Sequence, residues 1–110
     1  MNEKGLYEYL AVFIRPGMRE FLEEAAKYFE LIIYTAAKQQ YADAIIDGLE
    51  VETKYFSKRL YRQHCTKYVY FDGQCLFVKQ LTAVGDRKLA NSVLIDDNAM
   101  QVKANKENAI

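Results

Sequence analysis

The stretch Leu31-Ile32-Ile33-Tyr34-Thr35 (LIIYT) decides the fold class of this chain of 110 residues. Four consecutive apolar residues, two of them β-branched, are typical of a strand that is buried on both faces of a parallel sheet. Ser92-Val93-Leu94-Ile95 repeats this pattern, and Asp96-Asp97 follows it directly. Because helical patterns lie between the two runs, the sequence predicts an α/β fold with some parallel sheet.

Helical periodicity flanks the first of these strands. Apolar residues recur at three- and four-residue spacings from Met18 to Tyr28, which predicts a helix with one buried face. A second stripe predicts a helix over Gln39–Leu49. Leu6–Ile14 is rich in aromatic and β-branched residues and is expected to be a strand, which Pro16 and Gly17 end.

The second half of the chain contains a hairpin pattern. Two apolar stretches, Tyr68–Phe71 and Cys75–Val78, lie on either side of Asp72-Gly73, a pair of residues that suits a tight turn. The basic, mixed segment from Tyr55 to Lys67 gives no clear pattern, and the polar tail from Gln101 to Ile110 is expected to be loosely held.

Composition restricts the classes of function. The 15 basic residues balance the 15 acidic residues, so no global field attracts the chain to nucleic acid or to an anionic membrane. The longest apolar run is too short to span a bilayer. Two cysteines, Cys65 and Cys75, do not form a disulfide framework, so a reducing nuclear or cytoplasmic compartment is expected. Residues 1–110 contain no linker pattern and are treated as a single domain.

Five polar residues are candidates for chemistry. Thr35 and Asp96-Asp97 follow apolar strands, and ligand sites of parallel sheets collect at such strand ends. Two carboxylates would suit Mg²⁺, although aspartate is equally common in turns and helix caps. Thr35 and Lys79 could contact a phosphate group, and the Arg62 guanidinium has the shape for bidentate phosphate binding. The alternatives are a plain helix cap or a turn closed by its own hydroxyl for the threonine, and solvated surface positions for both cations.

Several motifs, placed in order, resemble one family. They run from Phe13 to the end of the chain and read FIRPGMREFLEEAAKYFELIIYTAAKQQYADAIIDGLE, FSKRLYRQHC, FVKQL, VLIDDN and KENAI. The chain resembles the small C-terminal-domain phosphatase, or NLI-interacting-factor, family of the haloacid dehalogenase superfamily. The resemblance implies a Rossmann-like parallel sheet flanked by helices, with a small β-hairpin. It also implies Mg²⁺-dependent dephosphorylation of phosphoserine and phosphothreonine proteins, among them the tail of RNA polymerase II.

The resemblance assigns expected roles to six residues at three kinds of position. They are Thr35 and Lys79 at the phosphate, Arg62 and Tyr41 on the substrate side, and Asp96 and Asp97 at the metal.

Three departures from the family pattern concern catalysis and substrate binding. The family nucleophile belongs to an Asp-x-Asp-x-Thr motif on the first strand, whereas the first aspartate here is Asp43. Covalent catalysis requires a carboxylate on that strand, so no catalytic nucleophile is identified and Mg²⁺ binding is expected to be weak or lost. Gln80 replaces the aspartate of the usual Lys-Asp-Leu, and Lys38 replaces a leucine that contributes to an apolar peptide pocket.

The resemblance therefore predicts an incomplete domain whose central first strand is missing or replaced. Because a gap there would expose two rows of backbone groups, either Leu6–Ile14 or a strand from a second copy is expected to fill it. Three functions follow as hypotheses: an inactive domain that retains weak phosphopeptide binding, a phosphatase completed by an N-terminal segment or a partner, and a non-catalytic protein-interaction module.

Overall fold

The computed structural model describes residues 14–85, 89–108 and 110. Almost all of the expected strand over Leu6–Ile14 therefore lies outside the described residues. Within them the chain is a small α/β structure with one parallel and one antiparallel strand pair, which confirms the predicted class. The helices and strands are α1 Met18–Ala25, β1 Ile32–Tyr34, α2 Gln39–Leu49, β2 Lys58–Leu60, β3 Thr66–Val69 and β4 Cys75–Val78. Short 3₁₀ segments cover Arg62–His64, Leu81–Val84, Leu89–Asn91 and Lys103–Asn108.

Helix α1 is shorter and less buried than its sequence pattern predicts. Gly17 adopts a left-handed φ of 84° ahead of the first helical residue, a conformation that glycine adopts without a steric penalty. The helix ends at Ala25 rather than Tyr28, because the following backbone N–H groups bond in tighter, irregular turns. Leu22 alone in this helix is buried, whereas Phe21 is exposed. The apolar residues thus share one face of the helix, but most of that face is exposed in the described structure.

The parallel pair confirms the strand predicted after α1. Strand β1 pairs with β2 in the register Ile32↔Lys58, Ile33↔Arg59 and Tyr34↔Leu60, and α2 provides the crossover between them. Strand β2 could not be predicted from the sequence pattern, because two of its three residues are charged and no alternation of apolar and polar residues marks it.

One edge of β1 has no strand partner within the described residues. The Leu31 carbonyl oxygen accepts a hydrogen bond from Ser57, and the Thr35 N–H donates to Leu60. The backbone N–H and C=O groups of residues 31, 33 and 35 therefore point toward β2, whereas those of Ile32 and Tyr34 point away from it.

The second predicted buried strand, Ser92–Ile95, is wrong in the described structure. Only Leu94 is bridged: it donates its N–H to Asn108 and accepts a hydrogen bond from Ile110. Val93 and Ile95 are 63% and 68% exposed, because no described strand pairs with this stretch as a sheet neighbour. The backbone hydrogen bonds from the C-terminal segment reach only Leu94 of this stretch.

The hairpin prediction is confirmed, with its first strand starting two residues earlier than expected. Strands β3 and β4 pair antiparallel from Thr66↔Val78 to Val69↔Cys75. The turn closes with a hydrogen bond from Tyr70 N–H to the Gln74 carbonyl oxygen, and Gly73 has a φ of 87° that favours glycine.

Two apolar clusters form the core. The larger joins α1, α2 and the segment around β2 and contains Leu22, Ala42, Ile46, Leu49, Tyr55, Phe56 and Tyr61. The smaller contains Leu81, Leu94 and Val102. Because Val102 is buried and Gln101 accepts a hydrogen bond from the Lys79 N–H, the tail from Gln101 is packed rather than loosely held.

A single arginine connects α2 to β2. The Arg59 guanidinium lies 2.9 Å from carboxylate oxygens of Asp43 and Asp47 and 2.7 Å from Glu50. The other Glu50 oxygen accepts hydrogen bonds from two backbone N–H groups, those of Tyr55 and Phe56. Although burial opposes ionisation of Glu50, the hydrogen bonds from Phe56, Arg59 and Tyr55 hold the pKa of its carboxyl below the usual range.

We expect Glu50→Gln to lower the free energy of unfolding by about 1–3 kcal/mol at pH 7, because the amide cannot replace all the charge-assisted hydrogen bonds. A carboxyl whose pKa is lowered by folding stabilises the protein above its unfolded pKa of about 4.3. This contribution disappears as the pH falls through the folded pKa. Urea unfolding at pH 7 and pH 3 measures both effects, with the exposed Glu52→Gln as control. An equal loss at both pH values would contradict the assignment.

Candidate functional site

The loop after β1 places Thr35 beside Arg62. The Thr35 hydroxyl accepts a hydrogen bond of 3.1 Å from the Ala37 N–H, which closes a small turn ahead of α2. The Arg62 N–H donates to the Ala37 carbonyl oxygen at 3.0 Å, and its Nε donates to the Ala36 carbonyl oxygen at 2.8 Å. The turn predicted as an alternative role for Thr35 is therefore present, and it is also the loop to which Arg62 is attached.

The Arg62 guanidinium has unused donors. Its carbon lies 4.7 Å from the centroid of the Phe77 ring, close enough for a cation–π contact that holds the group in place. Among the described residues no atom accepts a hydrogen bond from its two terminal nitrogens. The predicted ability of Arg62 to bind an anion is thus compatible with its surroundings.

Lys79 and Asp96 form a buried ion pair. The Lys79 ammonium contacts Asp96 Oδ2, and both side chains are less than a tenth exposed. Although burial opposes ionisation of Asp96, hydrogen bonds from Lys79 and from the Asn98 N–H lower the pKa of its carboxyl. The alternative of a solvated surface lysine is wrong, because Lys79 is only 5% exposed.

The Cys65 thiol lies beside the end of β1, where its sulfur is 4.0 Å from the Thr35 carbonyl oxygen. Burial raises the pKa of the thiol, while the charges of Lys79 and Arg62 oppose that shift. Hydrogen bonds connect the polar residues of this region: Arg62 is bonded to the loop after Thr35, and the Gln80 N–H next to Lys79 donates to the Tyr34 hydroxyl. Thr35, Arg62 and Lys79 are called the Thr35 cluster below.

Tyr41 lies on the first turn of α2, half exposed, at the rim of an open apolar cavity. The cavity measures about 180 Å³ and is lined by Ile33, Thr35, Ala37, Tyr41, Ala42, Ile45 and Ile46. Tyr41 and Thr35 therefore share one concave surface, and the substrate-side role of Tyr41 stays a prediction.

The described donor set does not fit a Mg²⁺ site. Both Asp96 oxygens are engaged, one by Lys79 and one by the Asn98 N–H. Asp97 is exposed. Within residues 14–85, 89–108 and 110 no group of three or more histidine, cysteine or acidic side chains could hold a metal ion. The metal roles of Asp96 and Asp97 stay predictions, and no chemical step is derived through a metal.

Sequence reasoning missed Tyr34 as a polar residue of this region. Its hydroxyl donates to the His64 carbonyl oxygen at 2.5 Å and accepts a hydrogen bond of 3.1 Å from the Gln80 N–H. An aromatic residue at the end of an apolar strand was assigned to the core, and the sequence carries no signal that its hydroxyl is used.

Comparison with known proteins identifies the family. The profile described as NLI interacting factor-like phosphatase matches residues 3–110. The chain therefore belongs to the NLI interacting factor-like phosphatase family, as the sequence motifs predicted.

Several of its relatives carry phosphatase or nuclear envelope names. The chain is 41% identical over 96 residues to nuclear envelope morphology protein 1 of Schizosaccharomyces pombe, covering 87% of this chain and 19% of that protein. It is 39% identical over 93 residues to CTD small phosphatase-like protein 3 of Caenorhabditis elegans, covering 82% and 29%. For CTD nuclear envelope phosphatase 1B of Danio rerio the identity is 32% over 96 residues, covering 87% and 37%. The chain thus spans about a fifth to under two fifths of these relatives.

No helix within the described part of the chain is both long enough and apolar enough to cross a membrane.

The buried ion pair predicts a large effect of removing one partner. We expect Lys79→Met to lower the free energy of unfolding by about 3–5 kcal/mol, because it leaves the Asp96 carboxylate buried and unpaired. The double variant Lys79→Met/Asp96→Leu is expected to be more stable than Lys79→Met. Urea unfolding of both variants checks this, with the exposed Lys54→Met as control. A Lys79→Met protein as stable as wild type would contradict the pairing.

Proposed function

We propose that this chain is a phosphatase-family domain that binds the phosphate group of phosphoserine or phosphothreonine proteins but does not hydrolyse it alone. The observation that supports this most is a set of hydrogen bonds that connects the three residues: Arg62 donates to the loop after Thr35, and Gln80, next to Lys79, donates to the Tyr34 hydroxyl at the end of β1. We further propose that the whole domain has the haloacid-dehalogenase-like sheet that its family implies.

The Thr35 cluster offers the chemistry that a phosphate monoester requires. Arg62 has two terminal guanidinium nitrogens that suit two phosphate oxygens, whereas Lys79 would share its charge between Asp96 and the phosphate. Because the formal net charge of the chain is zero, the attraction must come from these local groups.

Hydrolysis requires a nucleophile that this sequence does not provide. Phosphoryl transfer to the enzyme needs a carboxylate held near the phosphate, and no Asp-x-Asp-x-Thr motif occurs in the 110 residues. The nearest aspartate to Lys79, Asp96, is held in an ion pair. We therefore propose weak or absent Mg²⁺ binding and no turnover by the chain alone.

A second candidate is an active phosphatase that another segment completes. The edge of β1 that carries the Ile32 and Tyr34 backbone groups pairs with no described strand, and a strand added there would lie next to Thr35. Much longer relatives are compatible with such a segment. It would come from further N-terminal sequence or from a partner chain.

The proposed partner is a phosphoprotein in or near the nucleus. Four relatives are named for the nuclear envelope, and two others are named CTD small phosphatase-like proteins. The tail of RNA polymerase II is one candidate substrate on family grounds. A nuclear location is preferred over a cytoplasmic one for the same reason.

We expect the chain to bind a phosphoserine peptide, and Arg62→Gln to weaken this binding about 10- to 100-fold. A charge-assisted hydrogen bond to the phosphate contributes about 1.5–3 kcal/mol, and 1.4 kcal/mol corresponds to a factor of ten. Isothermal titration calorimetry with phosphorylated and unphosphorylated peptides measures it. Lys67→Gln, which removes an exposed cation on β3, is the control and should bind like wild type.

The same samples test hydrolysis. With p-nitrophenyl phosphate and Mg²⁺ the chain should show no turnover above background, because it has no nucleophile motif. Turnover that Asp96→Ala or a chelator abolishes would overturn the proposal and support the completed phosphatase. Equal affinity for phosphorylated and unphosphorylated peptide would overturn phosphate binding.

Strand exchange between two copies makes a separate prediction. If a second copy pairs with the free edge of β1, the mass measured by static light scattering should rise toward twice 12.8 kDa as the protein concentration is raised. A folded monomer at all concentrations would exclude this way of completing the sheet.

A further inference from the structure

The Tyr34 hydroxyl connects segments that are far apart along the chain. It belongs to the last residue of β1, donates to the His64 carbonyl oxygen at 2.5 Å and accepts from the Gln80 N–H at 3.1 Å. The acceptor, His64, and the donor, Gln80, lie 30 and 46 residues away. Both hydrogen bonds end on backbone atoms, so they fix the paths of two other segments rather than the rotamers of side chains.

Each of these segments contains one residue of the Thr35 cluster. Tyr34 directly precedes Thr35, and Gln80 directly follows Lys79. His64 ends the 3₁₀ turn that begins at Arg62. One hydroxyl group is therefore bonded within two residues of every cluster member.

Other contacts reach β1 only indirectly. The hairpin pairs Val78, which precedes Lys79, with Thr66, and the Arg62 guanidinium lies over the Phe77 ring. Among the described residues, the hydrogen bond from Gln80 is the one that joins β1 directly to the segment of Lys79. Tyr34 therefore provides the direct connection between these two segments.

The protonation state of Tyr34 suits this double role. Burial raises the pKa of the phenol, and the nearby Cys65 sulfur adds to the shift, while the hydrogen bond from Gln80 opposes it. The hydroxyl therefore stays protonated at neutral pH. It can donate to one backbone group while it accepts from the other.

We infer that Tyr34 is a positioning residue for the proposed phosphate site: its hydroxyl holds Thr35, the Arg62 turn and Lys79 at the spacing that one phosphate group requires. The inference rests on the proposed function, because it assumes that the Thr35 cluster binds phosphate.

Tyr34→Phe removes the hydroxyl and leaves the ring in place. We expect it to weaken binding of a phosphoserine peptide about 5- to 10-fold in calorimetry, a change equivalent to one neutral hydrogen bond. Amide hydrogen exchange at Gln80, measured by nuclear magnetic resonance, should become faster in the same variant. Tyr61→Phe is the matched control, since the Tyr61 hydroxyl bonds the Asp43 carboxylate on α2 and not the cluster. It should lose stability but keep its affinity within a factor of two.

The outcomes separate this inference from the proposed function. If wild type binds the peptide and Arg62→Gln weakens binding, but Tyr34→Phe binds like wild type, Tyr34 has no positioning role and the phosphate site remains. If wild type does not distinguish the phosphorylated peptide, the proposed function fails and the role of Tyr34 fails with it. Unchanged Gln80 exchange, or equal loss of affinity in Tyr61→Phe, would also overturn the inference.

Discussion

The parallel pairing of β1 with β2 is the constraint on which the rest of the described structure depends. It sets the end of β1 beside the start of the Arg62 turn, since the Thr35 N–H bonds the Leu60 carbonyl oxygen at 2.9 Å. Parallel strands need a crossover, and α2 fills that role while it packs its apolar side into the larger core cluster. Each strand of this pair has only three residues. The ion pair of Arg59 with Asp43 gives β2 a second attachment, to α2.

The second half of the molecule is organised around the Lys79–Asp96 pair. Lys79 is buried directly after β4, and a buried ammonium group needs an anionic partner. Among the described residues, Asp96 is that partner. The hydrogen bond from the Gln80 N–H to the Tyr34 hydroxyl then connects this half of the molecule to the first. Packing, electrostatics and one phenol together connect three polar residues that are separated by up to 44 residues in sequence.

Sequence patterns were sufficient wherever local physics decides structure. Helix α2 begins and ends where its apolar stripe does, and the Asp72-Gly73 turn produced the expected hairpin. Sequence patterns failed where pairing with a segment far away along the chain decides the structure. Val93 and Ile95 look like a buried strand, yet burial needs a neighbouring strand that the described residues do not supply. Strand β2 has the opposite property: Lys58 and Arg59 look like surface residues and form a strand because β1 offers them backbone partners. For the site, the residue types were predictable from the family motifs, but the hydrogen bonds of Tyr34 were not.

The attachment of α2 by Arg59 has a consequence for the ionic strength at which the protein is handled. The exposed pair Lys27–Glu24 is open to mobile ions and should be screened at physiological salt, where the Debye length is about 8 Å. Arg59 is 22% exposed in its side chain and touches carboxylates at under 3 Å, so screening reaches it far less. High-salt buffers should therefore loosen the charges on the surface of α1 while leaving the contact between α2 and β2 in place.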